Sequence, residues 1–378
     1  MLAGMSVLVL ATLFQGSFGI CFKKYQPFSW EAFWALFSLI GVLVMPHVWC
    51  ALCVPDYLSY LTATPLASLM PAIVAGFFWG VSAIWYSLAI DRIGVSLVTG
   101  INLGLSNLLG SIVPMFVLDR FPSPRALTLL LAGQAVLLGG VALLSKAGFM
   151  KTVSAVSSAV SSAVSSSSAA SSSSALASSS PTGVRDDAAI PPTAAASPST
   201  EASSASRSTF LIGFAMALAS GAGSAAINIG GTFAAHPVTL AEQAGVAPMF
   251  AALLQWPIVF LGGFLANFGY ALITLIRNRT FADYVRPGCA LAYGKALLTS
   301  FVWFAALGVY AMATALLGDF GQVGGWVVFN GCALIVANLW GFRDGEWTGF
   351  PKARSVALAG NAVIVASLIV VGIANGMA

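Results

Sequence analysis

What most limits the folds open to this chain is the distance between its charges. Apolar stretches of about 20 residues, each long enough to cross a hydrocarbon layer of roughly 30 Å, follow one another with only short polar breaks. Of the 378 residues, 58% are hydrophobic and 7% are Asp, Glu, Lys or Arg. A soluble domain of that length cannot cover so much apolar surface with so few charges. The chain therefore reads as an all-α integral membrane protein. Its 38 glycines and 17 prolines suit packed spans, where small residues let backbones approach closely.

Hydropathy and turn punctuation predict ten transmembrane helices near 2–22, 29–53, 68–90, 95–117, 126–145, 209–233, 246–275, 291–317, 321–341 and 354–376. The first span has no basic residues before it, and Lys23 and Lys24 follow it, so it reads as a retained helix rather than a cleaved leader. Residues 1–145 and 209–378 then form two five-helix units. Between them, the Ser/Ala/Pro-rich tract 146–208 reads as a disordered linker, with too little bulky apolar content to offset the entropy of ordering it. Its SAVSSAV repeats have transient helix as the alternative.

Charge sets the expected orientation. Of the 16 lysines and arginines, 14 fall in alternate loops beginning with the one after the first helix; only Arg120 and Arg125 dissent. The positive-inside rule puts those loops, and the linker, in the cytoplasm and both termini on the periplasmic or extracellular side. Because five is odd, the second unit enters the membrane upside down relative to the first. That is the layout of two inverted five-helix repeats. The Gly-rich stretches QGSFGI (15–20) and SGAGSAA (220–226) occupy corresponding first helices.

Other chemistries find little support. Five cysteines, at 21, 50, 53, 289 and 332, lack paired metal or disulfide spacing and read as packing residues. No metal-spaced His/Cys set, nucleophile–base pair or phosphate loop is present, so neither an enzyme nor a cofactor is indicated. The basic residues sit at helix ends rather than in a patch, which argues against nucleic acid.

Over both halves the chain resembles the L-rhamnose–proton symporter family of the drug/metabolite transporter superfamily. The resemblance is carried by FSWEAFW (28–34), GFFWGVSAIWYSLAIDRIGVSL (76–97), AGVAPMFAALLQWPIVFLGGFLANFGY (244–270) and LAGNAVIVASLIVVGIANGM (358–377). It implies a ten-helix sugar carrier of the inner membrane, built as two five-helix repeats, with a small sugar and a proton as its transported partners. The family's marked residues correspond to Ser29, Trp30 and Glu31, to Trp79, Gly80 and Tyr86, to Arg92 and Gly94, and to Asn228 and Asn267. The stretch 323–341 departs from the family pattern in its polar content. The alternative function is an exporter or facilitator of another small polar solute.

A neutral sugar needs aromatic planes for its C–H faces, together with amides or hydroxyls that both donate and accept hydrogen bonds. Such groups near mid-span are Gln15; Trp79 and Tyr86, on a stripe with Gly76 and Ala83; Asn102, sharing a face with Thr99 and Ser106, and the adjacent Asn107; and Trp303, Tyr310, Trp326 and Asn330. These are the candidate substrate-binding residues, with Asn228, Gln255 and Asn267 behind them. Each also has a plainer reading, since Asn and Gln in spans often bond a neighbouring helix. Trp30, Trp34, Trp49, Trp340 and Trp347 read as interfacial belt residues, and His47 and His236 fall at outer helix ends. Glu31 has two readings. It is the one carboxylate placed for proton coupling, and it also sits in the first turn of a helix capped by Ser29, where a carboxylate favours the dipole.

Overall fold

A computed structural model describes residues 2–21, 25–93, 95–175, 200–318, 321 and 323–377. Lys23, Lys24 and Gly94, and the stretch 176–199 of the expected linker, lie outside them. The first half comprises α1 (Leu2–Cys21), α2 (Trp30–Phe37), α3 (Met45–Cys53), α4 (Tyr57–Ala63), α5 (Leu66–Ile93), α6 (Val95–Val117) and α7 (Pro124–Ala175). The second comprises α8 (Thr200–Phe233), α9 (Ala235–Gln243), α10 (Pro248–Ala251), α11 (Gln255–Asn278), α12 (Cys289–Leu317), α13 (Gly324–Arg343) and α14 (Pro351–Gly376). Among the described residues ten helical stretches are long and apolar enough to cross a membrane. The protein is a multi-pass membrane protein.

Two departures from the sequence reading have local causes. The second span is one rod whose middle, Ser38–Val44, widens into a π-helix between α2 and α3. The fifth does not stop near 145: α7 runs on to Ala175, and α8 begins at Thr200. Between Gly148 and Ala175 there is neither glycine nor proline, and alanine is the strongest helix former, so nothing local breaks the helix. The tract read as disordered is thus helical as far as Ala175.

α12 sits at the centre. Its central apolar stretch is 78% buried, against 28–50% for the other nine spans. α1 and the π-helical turn pack against it, α5 packs against α8 and α11, α6 against α8, and α7 against α14. Large apolar side chains such as Leu13, Phe77, Phe78, Leu265 and Ile369 are exposed on the outside of the bundle, as a hydrocarbon solvent requires.

One crossing decides the shape of the interior. A Cβ on Gly76 of α5 would lie 1.7 Å from the Val259 carbonyl oxygen, and one on Gly262 of α11 would lie 1.9 Å from that of Ile73. Only glycine lets these two backbones touch. The contact sets Trp79, three residues beyond Gly76, against α11. The cysteines at 50, 53, 289 and 332 are free thiols.

Candidate functional site: an aromatic column between two cavities

On α2, Trp30, Trp34 and Phe37 are spaced i, i+4 and i+7, which puts them on one helical face. Trp30 stacks on Trp34 with ring centroids 5.4 Å apart, and Trp34 lies 5.2 Å from Phe37. Phe37 meets Trp303 of α12 edge-on at 5.4 Å. Trp303 stacks on Trp79 of α5, at 5.6 Å and 17° between planes. Phe260 of α11 closes the group, 5.2 Å from Trp303 and 5.6 Å from Trp79, and stacks in turn on Trp256 at 5.0 Å. Seven rings from four spans thus form a continuous column, each contact worth about 0.5–1.5 kcal/mol beyond area burial.

Trp30 and Trp34 of α2 line one cavity, and a second lies beside Gln255, the residue before Trp256. One, of about 470 Å³, is lined by Trp30, Trp34, Tyr86, Ser87, Asn267 and Tyr270 with apolar residues of α5. The indole N–H of Trp34 donates to Asn267 Oδ1 (3.2 Å), and Asn267 Nδ2 donates to the Gly263 carbonyl (2.9 Å). The hydroxyls of Tyr86 and Thr99 are 2.6 Å apart. The other cavity, of about 230 Å³, is lined by Gln255, Thr232, Thr314, Arg120 and Glu242 among others. Gln255 and Asn267 both lie on α11, twelve residues apart, which is about 18 Å of helix. The two cavities therefore lie at different depths along α11.

Most of the other sequence-picked polar residues meet elsewhere, at a junction of α5, α6, α8, α12 and α13. Asn102 Nδ2 donates to Ser220 Oγ (2.7 Å) and Ser224 Oγ (2.9 Å), and Ser220 Oγ donates to the Ser82 carbonyl (3.0 Å). Asn228 Nδ2 donates to the Gly110 carbonyl (2.7 Å), and the Tyr310 hydroxyl donates to Asn228 Oδ1 (2.8 Å). The Trp326 indole N–H donates to the Ser106 carbonyl (3.1 Å), whereas Asn330 Nδ2 turns back to the Trp326 carbonyl on its own helix (3.1 Å). Asn107 is buried beside them with its Oδ1 unpartnered, and half-buried Gln15 on α1 likewise encloses an unpartnered Oε1.

Of the nine residues chosen for substrate, then, Tyr86 lines a cavity, Trp79 and Trp303 build the column, and five belong to the helix junction or lean on it. Gln15 stands apart. His47 and His236 are placed to share hydrogen bonds with Tyr57 and Thr64.

Glu31 is 7% exposed, and its Oε1 accepts hydrogen bonds from Asn278 Nδ2 (2.9 Å) and Thr280 Oγ1 (2.8 Å). Around it, the Ser29 N–H donates to Asp283 Oδ2 (2.8 Å), Asp283 pairs with Arg286 at 3.1 Å, and the Tyr284 hydroxyl donates to the Ala32 carbonyl (2.9 Å). Burial, and then the neighbouring Tyr293, Asp283 and Glu31, push the Tyr284 phenol up to about 12, so it stays a neutral donor. Ser29 caps α2 as expected, its Oγ accepting from the Ala32 N–H at 3.4 Å. The start of α2 is thereby tied to the short segment that follows α11. Trp30 and Trp34, on either side of Glu31, face the larger cavity.

Trp30, Trp34, Asn267 and Tyr270 are cavity residues that the sequence ranked low or left out. The i, i+3 spacing of Asn267 and Tyr270 and the pairing of Trp30 with Trp34 were visible, but neither spacing says which face turns inward. Among the described residues no group of three or more His, Cys, Asp or Glu is placed to hold a metal ion.

Comparison with known proteins points one way. The family described as L-rhamnose-proton symport protein (RhaT) matches residues 2–166. The chain is 26% identical over 373 residues to the L-rhamnose-proton symporter of Cronobacter sakazakii, covering 94% of this chain and 92% of that protein. It is 22% identical over 365 residues to the symporter of the same name from Shigella sonnei and 21% identical to that of Escherichia coli, each covering 94% of this chain and 93% of the relative. These relatives are named as transporters, not as enzymes.

Proposed function

We propose that this chain belongs to the L-rhamnose-proton symporter family and carries L-rhamnose or a related sugar inward with protons, by alternating access between two inverted five-helix repeats. The observation that carries the reading is the aromatic column whose Trp30 and Trp34 line the Asn267 cavity. Flat indole and phenyl faces suit the C–H faces of a sugar, and Asn267, Tyr86 and Tyr270 at the larger cavity supply groups that both donate and accept. The likeness to symporters, which extends over nearly the whole chain, supplies the sugar and the proton.

Helix pairing supports the repeat. Exchanging each span with the one five places on turns α5–α8 into α12–α1, α6–α8 into α13–α1, and α6–α7 into α13–α14, all of them packed pairs. It turns α5–α11 into α12 against the second span, and returns α7–α14 to itself. A contact pattern that survives this exchange is what a pseudo-two-fold axis produces, and an odd number of spans per half puts that axis in the membrane plane. With 14 of the 16 lysines and arginines inside, the Asn267 cavity opens to the cytoplasm, the Gln255 cavity to the other side, and both termini lie outside.

In this reading Trp79, Trp303, Tyr86, Trp34 and Asn267 contact the sugar. Asn102, Asn107, Tyr310, Trp326 and Asn330 form the joint on which the halves rock, with Gln15 at its edge. Glu31 is the coupling carboxylate: it is buried, held by neutral donors, and flanked by two indoles of the inward cavity. Protonation would take charge from the acceptor that ties α2 to the Asn278–Thr280 segment.

The test is addition of L-rhamnose to de-energised cells expressing the chain, following both the external pH and radiolabelled sugar. Uptake with alkalinisation is expected, and Glu31→Gln should retain sugar exchange while losing the pH signal. An exporter or facilitator of another solute would show neither response, and counterflow in proteoliposomes with a panel of sugars and amino acids would identify its solute. Absence of rhamnose entry from membranes that contain the folded protein overturns the assignment.

A further inference from the structure

Most hydroxyls inside these helices bond a carbonyl of the turn before: Thr64 to Tyr60 (2.8 Å), Thr232 to Asn228 (3.1 Å) and Thr274 to Tyr270 (2.9 Å). Ser38, Thr299 and Ser300 do not. Each is 0% exposed, and each hydroxyl lacks a hydrogen-bond partner. A buried, unpaired hydroxyl gives up its hydration and recovers nothing, so three at one helix contact call for a ligand.

All three lie on one packed pair of elements, the π-helical turn and α12. A Cβ on Gly41 would lie 3.2 Å from both Cα and Cβ of Ser300, so α12 presses on the π-helical turn at that point. Ser38 opens the same turn three residues earlier, and Thr299 is the neighbour of Ser300. Phe37 and Trp303, one residue before Ser38 and three after Ser300, hold the register through their ring contact at 5.4 Å.

We propose that Ser38, Thr299 and Ser300 form a binding site for a monovalent alkali cation, sodium in the first instance, against the turn Ser38–Val44. Three neutral oxygens offer a hard donor set. With no cluster of acids, histidines or cysteines among the described residues, they do not suit a divalent or transition metal. An aliphatic hydroxyl is too weak a base to store a proton, so the site is separate from any proton carrier. The turn is π-helical, and irregular backbone of this kind lines ion sites in other transporters. The cation would bridge the second span to α12, one turn from the column. This goes beyond the transport reading and stands whatever solute is carried.

The test uses the purified full-length protein in detergent without sugar or a proton gradient, so that its failure is distinct from failure of rhamnose transport. Thermal melts are recorded in sodium, lithium, potassium and choline chloride at equal ionic strength, alongside binding of radioactive sodium. Sodium should raise the melting temperature saturably over choline. Thr299→Val and Ser300→Ala should each weaken the sodium response about tenfold, the loss of one oxygen ligand. In choline neither variant should melt below the wild type, because each removes an unpaired group. If a variant fails to fold, Ser38→Ala and sodium binding to the wild type decide the matter. Coincident melts in sodium and choline with no sodium retained would mean that ordered water alone answers these hydroxyls, and would overturn the proposal.

Discussion

Alanine at Gly262 adds a single methyl group, yet its carbon would lie 1.9 Å from the carbonyl oxygen of Ile73, where ordinary contact begins at 3.4 Å. The obstacle is backbone, so no side chain can swing aside, and α5 and α11 must part by about 1.5 Å. Overpacking of this kind costs about 1–3 kcal/mol, and a fixed carbonyl argues for the upper end, about 3 kcal/mol. Gly76→Ala meets the Val259 carbonyl from the other side of the same crossing, at 1.7 Å, and should cost a similar amount. Parting the helices once relieves both clashes. The double variant should therefore cost about as much as either single one, leaving a coupling of about 2–3 kcal/mol. Trp79, 5.6 Å from Phe260 across this seam, would lose that contact, and sugar uptake should fall with stability. Denaturant titration of the four proteins in micelles, beside uptake per folded molecule, makes the measurement. A Gly262→Ala protein within about 0.5 kcal/mol of wild type, or strictly additive single costs, would refute the backbone contact.

Trp303 touches Phe37, Trp79 and Phe260; Trp303→Ala should cost about 3–5 kcal/mol of stability and abolish uptake, while Trp303→Phe keeps a ring in place and part of the rate. Trp34→Phe removes the 3.2 Å bond to Asn267 while keeping an aromatic ring between Trp30 and Phe37, so KM for the sugar should shift about two- to tenfold, the worth of one hydrogen bond. Tyr284, raised to about 12 in the folded protein against about 10 in an unfolded chain, contributes stability that is complete below about pH 10 and is lost as pH rises towards 12. Melts across this range should show that decline, and Tyr284→Phe should flatten it.

The number of the spans, and the extent of most of them, followed from the sequence alone, because a hydrocarbon solvent makes length and apolarity the deciding quantities. The span expected at 95–117 is Val95–Val117, and the one expected at 291–317 is Cys289–Leu317. The Ser29 cap, a local matter of one side chain and one free N–H, was equally legible. Tertiary structure alone decided which polar groups meet. Several of these spans are apolar on most sides, so the sequence carries little amphipathic signal to say which way Asn102, Tyr310 or Asn267 points. That direction is set by close approaches such as Gly76 to Val259 and Gly262 to Ile73, between residues nearly two hundred positions apart. Trp30 and Trp34, expected as interfacial belt residues, line a cavity instead, because a span's rotation about its axis is fixed by its neighbours rather than by its own hydropathy.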